Sequence, residues 1–188
     1  MPELRRRSPA DADAVVGWVV DADALYLFTG AQVRWPLRVD DLLAMDDVPG
    51  FGAWVLVDEV GMPPLGHVDL TMVGTTVKLG RVIIDPHRRG EGLAHVLIDR
   101  ALLQAGRQGA TRVRLNVIRG NEPALRTYRR AGFREAVASP RVDVIPMELQ
   151  LRAVSTAELH PALSGSPTAR RPVRPRRRPP SCAAPPRG

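Results

Sequence analysis

The hydrophobic period of this chain changes between Val82 and Ala94, and that change limits the fold more than any other feature. Val82-Ile83-Ile84 closes an apolar run with the composition of a buried strand. Asp85-Pro86-His87-Arg88-Arg89-Gly90-Glu91-Gly92 interrupts it. From Leu93 onward, Leu93, Leu97 and Ala101 recur four apart, with Ala94, Ile98 and Leu102 beside them, the stripe of an amphipathic helix. A strand that turns through glycines into a helix aims unpaired backbone N–H groups, and the positive end of a helix dipole, at one spot. Such a spot suits a phosphate or pyrophosphate. Gly90 and Gly92 let the backbone approach an anion without a Cβ in the way. The pattern lacks the third glycine of a dinucleotide fingerprint and the Gly-Lys-Ser/Thr of a P-loop. Taken alone, it serves equally well as a plain strand–helix turn.

The flanking sequence predicts one α/β domain of α+β type over residues 1–152. Ser8-Pro9-Ala10-Asp11 has the order of a helix start: N-cap, Pro in the first turn, then an acid. That helix is expected to reach about Val19, with further helical stretches over 22–28 and 40–45. Residues 53–57, 65–73 and 77–84 read as three strands of an antiparallel meander, turned at Gly74-Thr75. The helix from Gly92 ends before Gly106 and Gly109. Residues 111–118 alternate, with Val113, Leu115 and Val117 on one face and Arg112, Arg114 and Asn116 on the other. Asn121 and Pro123 open a last helix, which Gly132 closes. Residues 133–137 and 142–151 read as two final strands.

Composition narrows the class. With 188 residues the chain suits one ordinary domain, and 44% hydrophobic content supplies a core. The longest apolar run, 14–20, falls well short of the roughly 20 residues of a membrane span. Asp11 and Asp13 stand where a secretory signal needs apolar residues. Cys182 is the single cysteine, so no internal disulfide and no cysteine-based metal cluster is expected. No His/Asp/Glu spacing calls for a metal. These features predict a cytoplasmic protein without a membrane partner. The net charge is +7, and residues 161–188 alone carry seven arginines and no acid, so residues 1–160 sum to zero. A nucleic-acid role for the folded part loses its support. The tail, 153–188, is rich in Pro and Arg and is expected to be disordered or polyproline-like.

Arg89-Gly90-Glu91-Gly92-Leu93-Ala94 resembles the pyrophosphate-loop signature of the GNAT superfamily of acyl-CoA-dependent N-acetyltransferases: Arg or Gln, two residues, Gly, one residue, Gly or Ala. Asp85-Pro86-His87-Arg88 is similar to the family's lead-in after its fourth strand. Leu115-Asn116-Val117 resembles its fifth strand, and Asn121, Tyr128 and Ala131-Gly132-Phe133 resemble its closing block. The strong resemblance covers Leu79 to Phe133. It implies a single GNAT-like domain: a mixed, mostly antiparallel sheet flanked by helices, with splayed fourth and fifth strands and the pantetheine arm of acetyl-CoA in the opening.

The resemblance also implies roles. Backbone groups around Ile83 and Ile84 would bond the arm and polarise the thioester carbonyl. The backbone amides of Gly90, Glu91, Gly92, Leu93 and Ala94 would cradle the pyrophosphate, with Arg89, and Arg88 beside it, adding charge. Asn121 would touch the cofactor, although a plain N-cap explains it as well. Tyr128, two helical turns on, would protonate the departing thiolate, although a core aromatic explains it too. Some family members carry a Glu on the fifth strand as general base. Asn116 stands there and cannot serve. Asp69, His67 and Glu59 are the alternatives, directly or through water, each more readily read as an ordinary surface residue. Cys182 lies in the tail, away from any shaped site, which favours direct transfer over an acetyl-enzyme.

The resemblance places the acceptor pocket among the N-terminal helices, where Trp18, Tyr26, Phe28, Trp35 and Trp54 with the acids Asp21, Asp23, Asp40, Asp41, Asp46 and Asp47 would suit a cationic amine, although the same aromatics read more readily as core and the acids as helix caps. The expected function is acetyl transfer from acetyl-CoA to a primary amine of a small molecule or protein N-terminus. The rival readings are a catalytically weak CoA-binding regulatory module and an RNA-associated protein acting through its basic tail.

Overall fold

Ser8 starts the first helix as its chemistry predicts. Its hydroxyl accepts from the Asp11 amide at 3.3 Å, and the Asp11 carboxylate accepts from the Ser8 amide at 2.7 Å, a reciprocal cap on α1 (Pro9–Gly17). Asp21 caps α2 (Ala22–Thr29) by accepting from the Ala24 amide, and the short α3 spans Val39–Leu43. The meander follows as β2 (Phe51–Val57), β3 (Gly66–Val73) and β4 (Thr76–Ile84), all antiparallel. Then come α4 (Leu93–Arg107), β5 (Arg112–Ile118), α5 (Glu122–Arg130), the two-residue β6 (Arg134–Glu135) and β7 (Val144–Gln150). The computed structural model describes residues 1–137 and 141–151, so the tail expected over 153–188 lies outside the described residues.

One strand has no signal in the sequence. Glu3–Arg6 forms β1, although Leu4 is its one apolar residue. It forms because β2 offers an edge: Glu3 pairs with Val57 and Arg6 with Trp54, antiparallel, and the Arg6 guanidinium sits 4.7 Å over the Trp54 ring.

The seven strands make one mixed sheet in the order β1-β2-β3-β4-β5-β7-β6, in which β4 and β5 alone run parallel. Helices cover both faces. On one side α4 and α5 bury Leu97, Ile98, Ala101, Leu125 and Tyr128 against Val113, Leu115 and Val117 of β5. On the other, α1 to α3 bury Val15, Leu25, Phe28 and Leu42 around Ile83. Among the described residues no helix is long and apolar enough to cross a membrane, and no group of His, Cys, Asp and Glu is arranged to hold a metal.

Candidate active site

The site begins where the sheet comes apart. β4 and β5 pair only from Thr76 to Lys78 against Arg112 to Arg114. Past that seam β4 continues to Ile84 along β3, and β5 continues to Ile118 along β7. The two strands thus open into a wedge whose lips carry backbone groups with no ladder partner across the gap. A β-bulge in β4 shapes one lip. Between the pairs Asp69–Gly80 and His67–Ile83, β3 has one residue, Val68, where β4 has two, Arg81 and Val82. Such a bulge bends its strand. Arg81 takes φ +44° there, a conformation that costs a residue with a Cβ on the order of 1–3 kcal/mol. The Arg81 guanidinium is bonded to Asp69 on β3, which holds the bulge in place.

Ile84 leads into a 3-10 turn, Pro86–Arg88, capped by Asp85, whose carboxylate accepts from the His87 amide at 2.9 Å. Gly90 and Gly92 follow at φ +87° and +79°. A Cβ at either glycine would meet nothing within 4 Å. Gly92 is the N-cap of α4, and no side chain caps that end. The His95 amide bonds back to the Gly92 carbonyl oxygen at 3.0 Å, and no side chain caps the amides ahead of it, an arrangement that fits a diphosphate. Arg89 is exposed and makes no ion pair among the described residues. Arg88 is committed elsewhere: its Nε lies 2.8 Å from Glu91, so the pair cancels the negative charge nearest the cradle.

Ile83 and Ile84 lie on the β4 lip, each 9% exposed. Asn121 caps α5 by accepting from the Ala124 amide at 3.2 Å. Tyr128 projects from the inner face of α5, buried, with its ring edge-on to Phe133. Burial lifts its hydroxyl above the usual phenol range, so it stays protonated at any working pH.

On the opposite sheet face a cavity of about 460 Å³ lies between α2, α3 and the wedge, lined in part by Phe28, Asp69, Lys78, Arg81, Asn116 and Arg141. The Tyr26 hydroxyl on α2 donates to Asp143, just before β7, at 2.8 Å beside it. Of the five aromatics expected at an acceptor pocket, Phe28 lines the cavity. Trp18 sits in the helical core, Trp54 carries Arg6, and Trp35 is exposed. Asp41 is the one expected acid that lines it.

His67 and Asp69 correct an expectation. Both were readable as surface residues, because they alternate with Val68 and Leu70, yet His67 is fully buried and Asp69 is 4% exposed. The reason is that β3 is covered on both faces: the Phe28 ring of α2 packs edge-on to His67 at 5.9 Å. Burial pulls the His67 ring down to about 3, so it is neutral. Burial pushes the Asp69 carboxyl up to about 6, against the pull of Arg81. Glu59 stays exposed in the turn after β2.

A divided sheet whose fourth strand leads into an uncapped helix matches the scaffold that the family resemblance implies. The sequence profile of the acetyltransferase (GNAT) family matches residues 22–133, and the chain belongs to this family of acyltransferases. A peptidyl-lysine N-acetyltransferase, YjaB of Escherichia coli strain K12, is 30% identical over 130 residues, covering 69% of this chain and 80% of that protein. Solved structures share the fold. The spermidine N-acetyltransferase of Vibrio cholerae, in complex with CoA and spermine, superposes with a TM-score of 0.64 at 20% identity, covering 79% of this chain and 95% of that one. The ribosomal-protein-S18-alanine N-acetyltransferase of Escherichia coli superposes with a TM-score of 0.60 at 19% identity, covering 80% and 94%.

Proposed function

We propose that this acetyltransferase carries an acetyl group from acetyl-CoA to a primary amine, of a small molecule or a protein N-terminus, by direct attack in a ternary complex. The observation that carries the reading is the parting of β4 from β5, together with the uncapped start of α4 that follows β4 in the chain. The amides from Gly90 to Ala94 take the diphosphate, and Arg89 adds a charge that no described acid neutralises. Backbone groups of Ile83 and Ile84 bond the pantetheine arm and orient the thioester. Asn121, at the opposite lip, contacts the arm beside its capping bond. The acceptor enters through the cavity on the other sheet face. Its nitrogen attacks the carbonyl carbon, the C–N bond forms, the C–S bond breaks, and the thiolate takes the Tyr128 proton. The relative and the two structural neighbours are named for peptidyl-lysine, spermidine and ribosomal-protein-S18 alanine, and a cavity of mixed polarity is compatible with an amine of that kind. The cytoplasm is the proposed compartment, consistent with a single cysteine.

Calorimetry with acetyl-CoA tests the reading, followed by mass-shift assays on spermidine, a lysine peptide and a free N-terminal peptide. Acetyl-CoA is expected to bind the wild type. Gly92→Glu, which puts bulk and negative charge into the cradle, is expected to weaken binding by at least about tenfold, or 1.4 kcal/mol. No heat at millimolar acetyl-CoA defeats the proposal. Asn116, where the family resemblance calls for Glu, favours a second reading, a CoA-binding regulatory module. Cofactor binding with no acetylated product from any amine would select it. The RNA-associated reading rests on the composition of the tail alone.

A further inference from the structure

An ammonium ion has no lone pair to attack with, and Asn116 cannot accept its proton. Resting on the acyl-transfer reading above, we propose that Asp69 is the base that deprotonates the acceptor amine, and that His67 Nε2 shares the captured proton as its positioning partner. The two side chains divide their atoms to leave one vacancy for a proton. Asp69 Oδ2 is held by Arg81 Nε. Asp69 Oδ1 and His67 Nε2 are both sealed from solvent, neither has a hydrogen-bond partner, and they face each other at 3.4 Å. His67 Nδ1 lies 2.9 Å from the Arg81 carbonyl oxygen. A carbonyl only accepts, so Nδ1 carries the ring hydrogen and Nε2 presents a lone pair. Two acceptors therefore confront each other, and one proton satisfies both. Asp69 also lines the acceptor cavity, its side chain 6% exposed.

The charges around the pair are nearly balanced. Arg81 on β4 opposes protonation by direct contact. Arg7, after β1, opposes it from further away, with Nη2 on Asp46 at 2.6 Å and Nε and Nη1 buried without a partner. Burial and the Asp46 carboxylate, after α3, favour protonation. Asp41 on α3 and Lys78 on β4 border the same cavity, and Asp11 on α1 acts weakly on His67. The pair therefore stands empty at neutral pH and close to accepting a proton. The balance closes over one turnover. R–NH₃⁺ gives one proton to Asp69. The neutral amine attacks and the thiolate takes the Tyr128 proton. The nitrogen's second proton restores Tyr128, and the Asp69 proton returns to solvent.

The test uses the full chain, labelled with ¹³C and ¹⁵N. The Asp69 carboxyl carbon and the His67 Nε2 nitrogen are expected to move in one shared step near pH 6, and the His67 nitrogen to stay flat in Asp69→Asn. This titration needs no substrate, so it decides the pair even if calorimetry overturns the acyl-transfer reading. The wild-type kcat/KM is expected to rise with pH through the same step. Asp69→Asn is expected to lower kcat/KM at neutral pH by at least about a hundredfold, to remove that rise, and to leave acetyl-CoA affinity unchanged. Asp69 titrating in the ordinary carboxylate range with His67 silent, as when a buried water satisfies both groups, overturns the proposal. So does an Asp69→Asn profile that keeps the rise, the mark of a merely structural ion pair.

Discussion

Tyr128 lies edge-on to Phe133 with 5.7 Å between ring centroids, and its hydroxyl has no hydrogen-bond partner among the described residues. A phenol held this firmly to its proton is a poor donor to a thiolate in water. In the proposed transfer, a thiolate released against the buried Tyr128 would be raised by the same desolvation, which would offset that loss. Tyr128→Phe is therefore expected to cut kcat by about a hundredfold or more while acetyl-CoA affinity in calorimetry holds, and an unchanged kcat removes the role. Asp11 shows the opposite effect. Burial alone would raise its carboxyl, but bonds from both Arg5 nitrogens, at 2.6 and 2.9 Å, and from Ser8 bring it down to about 2. A carboxyl lowered in the fold below its unfolded value of about 3.9 stabilises the protein above that pH. The contribution disappears as pH falls through about 2. Asp11→Asn is expected to cost about 2 kcal/mol at pH 7 in urea unfolding, with the gap to wild type closing below about pH 4.

At the scale of elements, the helix α4 fixes where the anion cradle sits. Leu97, fully buried against the sheet, is its anchor. Leu97→Ala is expected to cost about 3 kcal/mol, read as a lowered denaturation midpoint, and to weaken acetyl-CoA binding because the first turn of α4 loses its footing. Much of this layer was legible beforehand. Gly90 and Gly92 marked the turn, Asn121 the start of α5, and the alternation of Val113, Leu115 and Val117 the β5 strand. Three features were not. β1 has one apolar residue, and its existence depends on the free edge of β2, which no local pattern reports. The bulge at Arg81 arises from a mismatch in register between β3 and β4, invisible in either strand alone. His67 and Asp69 obey the alternation of a half-exposed strand, so their burial becomes apparent only once α2 and α3 lie over that face. The wedge was expected from family resemblance, and Asp69 and His67 were readable as alternatives for the general base, but not as a buried pair.

At the scale of the whole molecule, every residue assigned to the cofactor lies between Ile83 and Tyr128, and residues 1–160 carry no net charge. Removing residues 153–188 is expected to leave acetyl-CoA affinity within about twofold, whereas any RNA retention of the full chain should vanish with the deletion and fall steeply with salt beforehand. A loss of acetyl-CoA affinity in that truncated form would move part of the site outside the wedge. Acetyl-CoA at a hundred times its Kd is expected to add about 2.7 kcal/mol of stability, seen as a concentration-dependent rise in Tm. The seam from Thr76 to Lys78 gives that number a mechanical meaning. The sheet is a book of two leaves, β1 to β4 and β5 to β7, stitched along three residues of a short spine. A pantetheine arm laid between them, as proposed, would be a guest strand that completes the binding. Amide hydrogens along both inner margins should then exchange more slowly once the ligand is in place, and the donor substrate becomes a structural member of the sheet for as long as it stays.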